Sequence, residues 1–575
     1  MFFSTFCTYL NNIRSTRSRI EKKNILIELF KTCTPHESKI AAYFIQGTIK
    51  GIFQHETFGI SEKTLLVIAS EYFQLSEEEI IKLNRSTGDI GTTYNILQTK
   101  KNIVFKEYSI ENIHHQLYNI ASIEGKDSCA KKHRAIINSI HFLDPISIQF
   151  FIRIVIGIMG IGVSDKTLLE SCNTLINNQI TYKDLEIIYA SYSDIGQLVY
   201  FSCENDIKNL LSIQPTIGIP IIPAAAERIK SLSEINPTIS YIVQPKYDGM
   251  RIQAHIDTIN KRTFFFSRNL LNVSHMFIPL QKTLLELCKQ QNISSCILDG
   301  ELVVYDTITK EYKSFQETIS KKRIHNIDQN TQEENPIHYI VFDILILNNQ
   351  NYMKKSYRER FEILNTYFPP QNNTIIYHSH SYIINNMDII EQLYKKYHEK
   401  KYEGIMIKDV SSLYKAGKRS DDWLKWKIIE TDHLSDTIDL VIIGYFFGKG
   451  KRTELGIGAL LCAIYDPEKE QFLTITKIGT GLSQDIWKKL GEQCQLYTTS
   501  QQPHDVVCPK SLMPDVWCNP HVLITVSADA ITESTEHSSG FSLRFPRMIK
   551  IINDKLPIQA TTINEIKLFK QKNNS

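Results

Sequence analysis

From Met1 to about Ile213 the apolar positions recur at helical spacing. Ile25, Leu26, Leu29 and Phe30 fall on one face, and Leu65, Leu66, Ile68 and Ala69 repeat the arrangement, which predicts an all-helical region. Two glycine-containing turns interrupt it, STGDIGTT around Gly88 and Gly91, and IGIMGIGVSDKTLL around Gly157, Gly160 and Gly162. In the second, Ser164 stands where it can cap a helix opening at Asp165, leaving backbone N–H groups beside glycines that permit close approach. Such a turn suits a phosphate backbone, and equally a helix crossing that needs small residues. Pro215, Pro220 and Pro223 then punctuate QPTIGIPIIP, which cannot continue a helix and reads as a linker.

Beyond the linker the period shortens. SYIVQPKYDG, FFFSR, CILDGELVVY and HYIVFDILIL read as strands, mixed with a helix near Leu284 to Leu287, and predict an α+β region ending near Asp436. From Ile438, DLVIIGYFFG, ALLCAIYD, FLTITKIG and VLITVSA alternate with turns and predict a small antiparallel barrel. The expected architecture is multidomain: an all-α domain over 1–213, an α+β domain over 214–436 and a β-barrel domain over 437–575.

Composition narrows the function classes mainly by exclusion. At roughly 150 residues per domain, 575 residues make several independent cores, too many for a single small binding module. A hydrophobic share of 42% and a charged share of 22% are those of a chain that folds throughout. The net charge of +3 is too small for the whole molecule to act as a polyanion binder, so any such site must be local. Eleven cysteines without a CxxC pair indicate neither a zinc ribbon nor a disulfide framework and point to a reducing intracellular compartment, nucleus and cytoplasm being indistinguishable. The longest apolar stretch, Phe151 to Val163, carries Arg153 and falls short of the ~20 residues of a membrane helix, so no membrane association is expected. Arg14, Arg17 and Arg19 follow the apolar start, the wrong order for a secretory signal. An acid-poor start rich in Arg and Ser also occurs in mitochondrial addresses, but a first amphipathic helix is the expected reading.

Candidate chemistry concentrates in KYDGMR, Lys246 to Arg251, where a strand meets a turn. An enzyme that uses a lysine as nucleophile must depress a pKa near ~10.4 by burial and neighbouring cations, and the apolar YIV runs straight into Lys246. Asp248 and Gly249 can make the tight turn, and Arg251 can hold a ribose or phosphate. Alone, the hexapeptide is more often a surface turn. Downstream, LDGELVVYD and KYEGIMIKD place Glu301 and Glu403 as acidic groups starting strands, suited to holding a divalent cation on a triphosphate, or as ordinary solvated strand ends. In RSDDWLKWKI, Lys425 and Lys427 share one strand face because side chains alternate with period two, an arrangement that attracts a phosphate or marks a solvated edge. Phe342, in YIVFDIL, reads as core, with a ring that can stack on a purine.

Taken in order, KYDGMR, FSRNLLNVS, LDGELV, YIVFDIL, EGIMIK, WLKWK and FSLRFPRMIK closely resemble the ATP-dependent DNA ligases. The similarity extends to SFQ, KIGTGLS and NDKLPIQATT, and the helical N-terminal turns resemble the DNA-binding domain of eukaryotic DNA ligase I and archaeal replicative ligases. The resemblance implies an all-α DNA-binding domain, a nucleotidyltransferase domain and an OB-fold barrel able to encircle a duplex. It implies that Lys246 becomes a lysyl adenylate and that Gln244, Arg251, Arg268, Glu301, Phe342, Arg419, Lys425 and Lys427 contact ATP or the adenylate. Glu301 and Glu403 would serve magnesium. Phe315 and Phe545 fall where the family sets apolar residues against the minor groove, with Arg544 and Arg547 also at the DNA. Arg544, Arg547, Asp554 and Lys555 belong to the motif that closes over ATP during adenylation. The implied partner is nicked double-stranded DNA, met by a monomer. A sliding clamp is a further candidate partner, although no clamp peptide is evident.

Two positions depart from the family. Gln244 stands where Glu is common, although an amide oxygen can still accept from an exocyclic amine. Thr525 stands where relatives usually carry an acid in a VEV-like strand. An mRNA capping guanylyltransferase shares the lysine motif but is opposed by RFPR and the long helical region, as is an RNA ligase. An inert DNA-binding protein on the same scaffold is opposed by the joint presence of Lys246, Glu301, Glu403 and Lys425.

Overall fold

The computed structural model describes residues 1–54, 58–313, 336–369, 376–400, 402–427, 437–449, 452–453, 456–553 and 555–573. The described elements from Phe3 to Ser212 are all helical, with one short 3-10 turn at Ile52–Gln54. The periodic residues face inward as their spacing requires: Leu26, Leu29 and Phe30 are buried on the helix Arg19–Thr32, and Leu65, Ile68 and Ala69 on Glu62–Phe73. Side-chain caps mark the boundaries, with Thr34 and Glu37, and Ser76 and Glu79, closing capping boxes.

At the glycine turn, the Ser164 side chain accepts from the Thr167 amide at 3.4 Å and opens the helix Asp165–Leu175, as expected. The buried Lys22 ammonium ties the turn down, donating to the Ile161 carbonyl at 2.6 Å and the Gly162 carbonyl at 3.2 Å. The proline-rich linker lies along the helices, with the Ile222 amide on the Ala190 carbonyl at 2.8 Å and the Ser193 hydroxyl on the Pro220 carbonyl at 2.7 Å.

The described residues of the α+β region form two sheets. The first runs in the order Ala225–Ile229, Arg419–Lys427, Gly404–Asp409, Tyr241–Lys246, Tyr382–Ile384. The second runs Arg262–Ser267, Met250–Asp257, Ser295–Asp306, Ile337–Leu347, Gln350–Asn351, with Glu311–Lys313 and Ile376–His378 pairing to its sides. Helix Met387–Glu399 packs Ile390, Leu393 and Tyr397 on the first sheet, while Ile278–Gln290 packs Leu280 and Leu284 on the second. Coverage of both faces explains why strands such as SYIVQPK and CILDGELVVY lack alternation.

The strand carrying Glu301 begins at Ser295, so this carboxylate lies mid-strand and does not start one, contrary to the sequence expectation. A bulge between Asp299 and Gly300 breaks the pairing register just before it; such an irregularity re-aims a side chain without ending the strand.

The C-terminal region forms a curled sheet in the order Thr498–Thr499, Val516–Ser527, Ile438–Phe446, Ala459–Asp466, Gln471–Ile478, Val506–Val507. Arg547–Ile552 pairs alongside Val516–Ser527, and Ala530–Glu533 pairs separately with Phe541–Arg544. Bulges at Ile442/Gly444 and Cys462/Ala463 add twist. Thr525, buried on Val516–Ser527, pairs in register with Asp439 and donates its hydroxyl to that carboxylate at 2.9 Å. Lys555 holds the other Asp439 oxygen at 2.7 Å. The acid beside Thr525 is thus supplied by the neighbouring strand.

The chain groups into two compact units, 1–60 with 103–428 and 61–102 with 429–575. Within the second, Glu62 pairs with Lys449 at 2.5 Å and Arg85 with Asp515 at 3.7 Å, so the helices between Glu62 and Gln98 group with the C-terminal sheet. Among the described residues no helix is long and apolar enough to cross a membrane.

Candidate active site

Lys246 ends a strand of the first sheet, and Tyr247, Asp248 and Gly249 carry the chain across to Met250 in the second. The KYDGMR segment therefore bridges two sheets, at the rim of a cavity of about 320 Å³ between them. Gly249 makes the crossing possible by close approach: a Cβ there would lie 2.3 Å from the Leu302 carbonyl oxygen and 2.7 Å from Glu301 Cγ. Gly249→Ala is expected to lift the turn off the strand and lower the unfolding free energy by about 1–3 kcal/mol. An earlier urea transition than wild type would be the sign, and an unchanged one would show that the strand yields instead.

Among the described residues, the cavity lining carries six basic side chains, Lys246, Arg251, Arg268, Lys408, Lys425 and Lys427, against two carboxylates, Glu301 and Glu403. Such a surplus concentrates positive charge locally in a chain whose net charge is only +3. The Lys246 ammonium, 19% exposed, forms an ion pair with Glu403 Oε2, and Lys427 takes Oε1. The Glu403 amide donates to the Lys246 carbonyl at 3.0 Å, fixing the carboxylate beside the lysine through the backbone. Burial would raise the Glu403 pKa, but Lys246 and then Lys427 hold it below the usual carboxylate range.

Glu301 behaves oppositely. Burial pushes it up to about 8, with Lys246 and Arg251 opposing the rise and Asp299 and Glu403 adding to it. Arg251 forks onto Asp299 at 3.0 and 2.7 Å and donates to the Ala224 carbonyl at 2.6 Å. Burial would lower its pKa, but Asp299, with Tyr414 and Glu301, raises it on balance. Burial lowers the Lys425 pKa, and Arg419 and Lys427 lower it further.

Phe342 forms cavity wall, with the Arg251 guanidinium 5.6 Å from its ring centroid. Gln244 lies at the buried end, 2% exposed. Arg419, expected among the nucleotide contacts, is not a lining residue; it sits exposed at the start of its strand, 3.8 Å from Glu227. Lys425 and Lys427, farther along the same strand, do reach the cavity, as their period-two spacing predicts.

Two participants escaped the sequence reading. Lys408 lies in the floor among Phe342, Tyr357 and Trp423, with its ammonium 4.4, 4.6 and 4.2 Å from their centroids; burial depresses its pKa to about 7. Asp299, wholly buried, anchors Arg251. Both stand inside motifs already singled out, EGIMIK and LDGELV. Counting by two from Met406 to Lys408 places both on one strand face, and both line the cavity.

The expected DNA-facing residues lie elsewhere. Phe545 takes a left-handed φ of 50°, rare for a non-glycine residue, and presents a ring 62% exposed. Arg544 stands 5.6 Å from that ring, and Arg547 pairs with Asp529 at 3.4 Å. Phe315 and Asp554 fall outside the described residues.

For magnesium the donor chemistry fits. Glu301 and Glu403 both bring hard oxygens to the cavity beside Lys246. Among the described residues no cluster of three or more acidic, His or Cys side chains forms a closed cage. A cation that keeps waters and shares phosphate oxygens needs only such a partial set.

Comparison with known proteins gives a consistent result. A family model described as DNA ligase N terminus matches residues 2–173, one described as ATP dependent DNA ligase domain matches 223–427, and one described as ATP dependent DNA ligase C terminal region matches 453–555. A "Probable DNA ligase" of Dictyoglomus turgidum is 31% identical over 98% of this chain and 97% of its own length. A "DNA ligase 1" of Methanosarcina acetivorans is 31% identical over 93% of each chain. The solved structure named "Pmar-Lig_Pre." is 17% identical, covers 96% of this chain and 99% of its own, and superposes with a TM-score of 0.56, a likeness of fold.

Proposed function

Since this chain belongs to the ATP-dependent DNA ligase family, we propose that it seals nicks in duplex DNA by three successive transfers centred on Lys246. The observation that carries this reading is the Lys246 ammonium held against Glu403 at the mouth of a cation-lined cavity. In the first transfer Lys246 Nζ, once free of its extra proton, attacks the α-phosphorus of ATP; a phosphoramidate bond forms and pyrophosphate leaves. In the second, AMP passes to the 5′ phosphate at the nick. In the third, the 3′ hydroxyl displaces AMP and the phosphodiester closes.

The residues divide this work by charge. Arg268, Lys425 and Lys427 neutralise phosphoryl oxygens, where charge accumulates, and Arg251 is held rigid by Asp299 to take a ribose or phosphate oxygen. Phe342 stacks on the purine and Gln244 reads its edge. Arg419 reaches a phosphate only by leaving Glu227. Glu301 and Glu403 would hold magnesium, which supplies charge neutralisation on the triphosphate.

We assign 1–213 to duplex binding, 214–436 to adenylation and 437–575 to an OB-fold barrel. In that barrel Arg544, Arg547 and Lys555 act on ATP, and the exposed Phe545 ring wedges the minor groove. Phe315, in the adenylation region, is assigned to the minor groove by resemblance. The enzyme acts as a monomer inside the cell.

Incubation with ATP or GTP labelled at the α-phosphate, then denaturing electrophoresis, tests the first transfer, and sealing of a labelled nicked duplex tests the rest. Label from ATP on the protein, chased into DNA, is the expected result. Label from GTP alone would favour a capping enzyme, and no label with retained DNA binding would favour an inert scaffold.

A further inference from the structure

An amide side chain can present either its oxygen or its nitrogen to a ligand, and which one it presents is a matter of what its neighbours leave open. Around Gln244 the choice is closed. Gln244 Nε2 lies 2.8 Å from the Ser381 hydroxyl oxygen. That hydroxyl has a single hydrogen, and it is donated to the Ser379 carbonyl at 2.7 Å. Toward Gln244, Ser381 can therefore only accept.

The Ser381 hydroxyl thus asks the amide for a hydrogen. The –NH2 end answers it, and Oε1 is the end left for the cavity that Gln244 lines.

We infer that Ser381 is a positioning residue for nucleobase choice: it locks Gln244 with its oxygen toward the cavity, so the site accepts a purine with a 6-amino group and rejects one with a 6-oxo group. Adenine offers a hydrogen at that edge and guanine a second acceptor, which would face Oε1 unpaired. Without the lock, the amide can turn and offer –NH2 to guanine instead. In this way a neutral amide gives the discrimination expected of the glutamate common at this position. The inference rests on the proposed use of ATP.

The test is the ratio of protein labelling by ATP to labelling by GTP, measured side by side. Ser381→Ala is expected to lower that ratio about tenfold, the worth of one polar contact in discrimination. Ser381→Thr, which keeps the hydroxyl, should restore it. Where the alanine variant does not fold, Ser381→Cys keeps the volume with a weaker acceptor and should lower the ratio in the same direction. In a Gln244→Glu background, Ser381→Ala should leave the ratio where Gln244→Glu alone puts it, because a carboxylate has no donor end to turn. A purely structural Ser381 would reduce labelling by both nucleotides equally, and an unchanged ratio in Ser381→Ala overturns the inference. Failure of the wild type to label with ATP at all would instead overturn the proposed function.

Discussion

Lys246→Ala should give no detectable protein–AMP adduct, a loss of at least about 10⁴-fold in labelling, because the step requires a nucleophilic nitrogen at that point. Neighbouring lysines do not substitute. Lys427 and Lys425 project from a different strand, with Lys427 already on Glu403, and the Lys408 ammonium is enclosed among three rings in the floor. Their presence makes the variant informative, since the cavity keeps most of its positive charge and should still bind the nucleotide. Lys246→Arg should fail equally, as a guanidinium stays protonated and offers no lone pair. Sealing of a nick that already carries AMP on its 5′ phosphate does not need the nucleophile and should persist in both variants. Denaturing electrophoresis after incubation with labelled ATP decides the matter; an adduct in either variant would place the nucleophile elsewhere.

Glu403→Ala should slow labelling by about 10²–10³-fold while leaving the fold intact. Its side chain is partly exposed at a strand end, and the bond from its amide to the Lys246 carbonyl does not depend on the carboxylate. What disappears is the carboxylate that pairs with both Lys246 and Lys427, together with one of the two oxygen donors proposed for magnesium. Glu403→Gln keeps the shape and loses the charge, so it should resemble the alanine variant. Higher magnesium should recover part of the loss. Circular dichroism matching wild type, with depressed labelling, is the expected pair of results. A variant that labels normally would make Glu403 a bystander, and one that unfolds would make it structural.

The elements carrying this chemistry were legible to different depths in the chain itself. Lys425 and Lys427 could be placed on one face because alternation along a strand is a property of the backbone, independent of what packs on it. Ser164 as a cap was equally readable, since the cap is a bond between residues three apart. Glu301 was found as a residue but not as a mid-strand one, because the bulge before it arises from pairing with Ile337–Leu347, dozens of positions later. Arg419 lies on the same strand as Lys425, yet only the fold sets it on Glu227 outside the cavity. Asp439 beside Thr525 could not be anticipated either, as a register shift of one residue would have turned one of them to the other face.

The helical spacing and the strand runs are local facts, set by neighbouring side chains and by the two periods of the polypeptide, and they determined the classes of element, while the ordered motifs determined the family. The tertiary structure alone decided which charges meet: Lys246 with Glu403 across two strands, Arg251 with Asp299, and the rings that close around Lys408. It also decided which end of Gln244 faces the cavity, through the Ser381 hydroxyl, more than a hundred positions away. An amide, a carboxylate or an ammonium has no fixed role until burial removes water and leaves it only the partners that folding supplies.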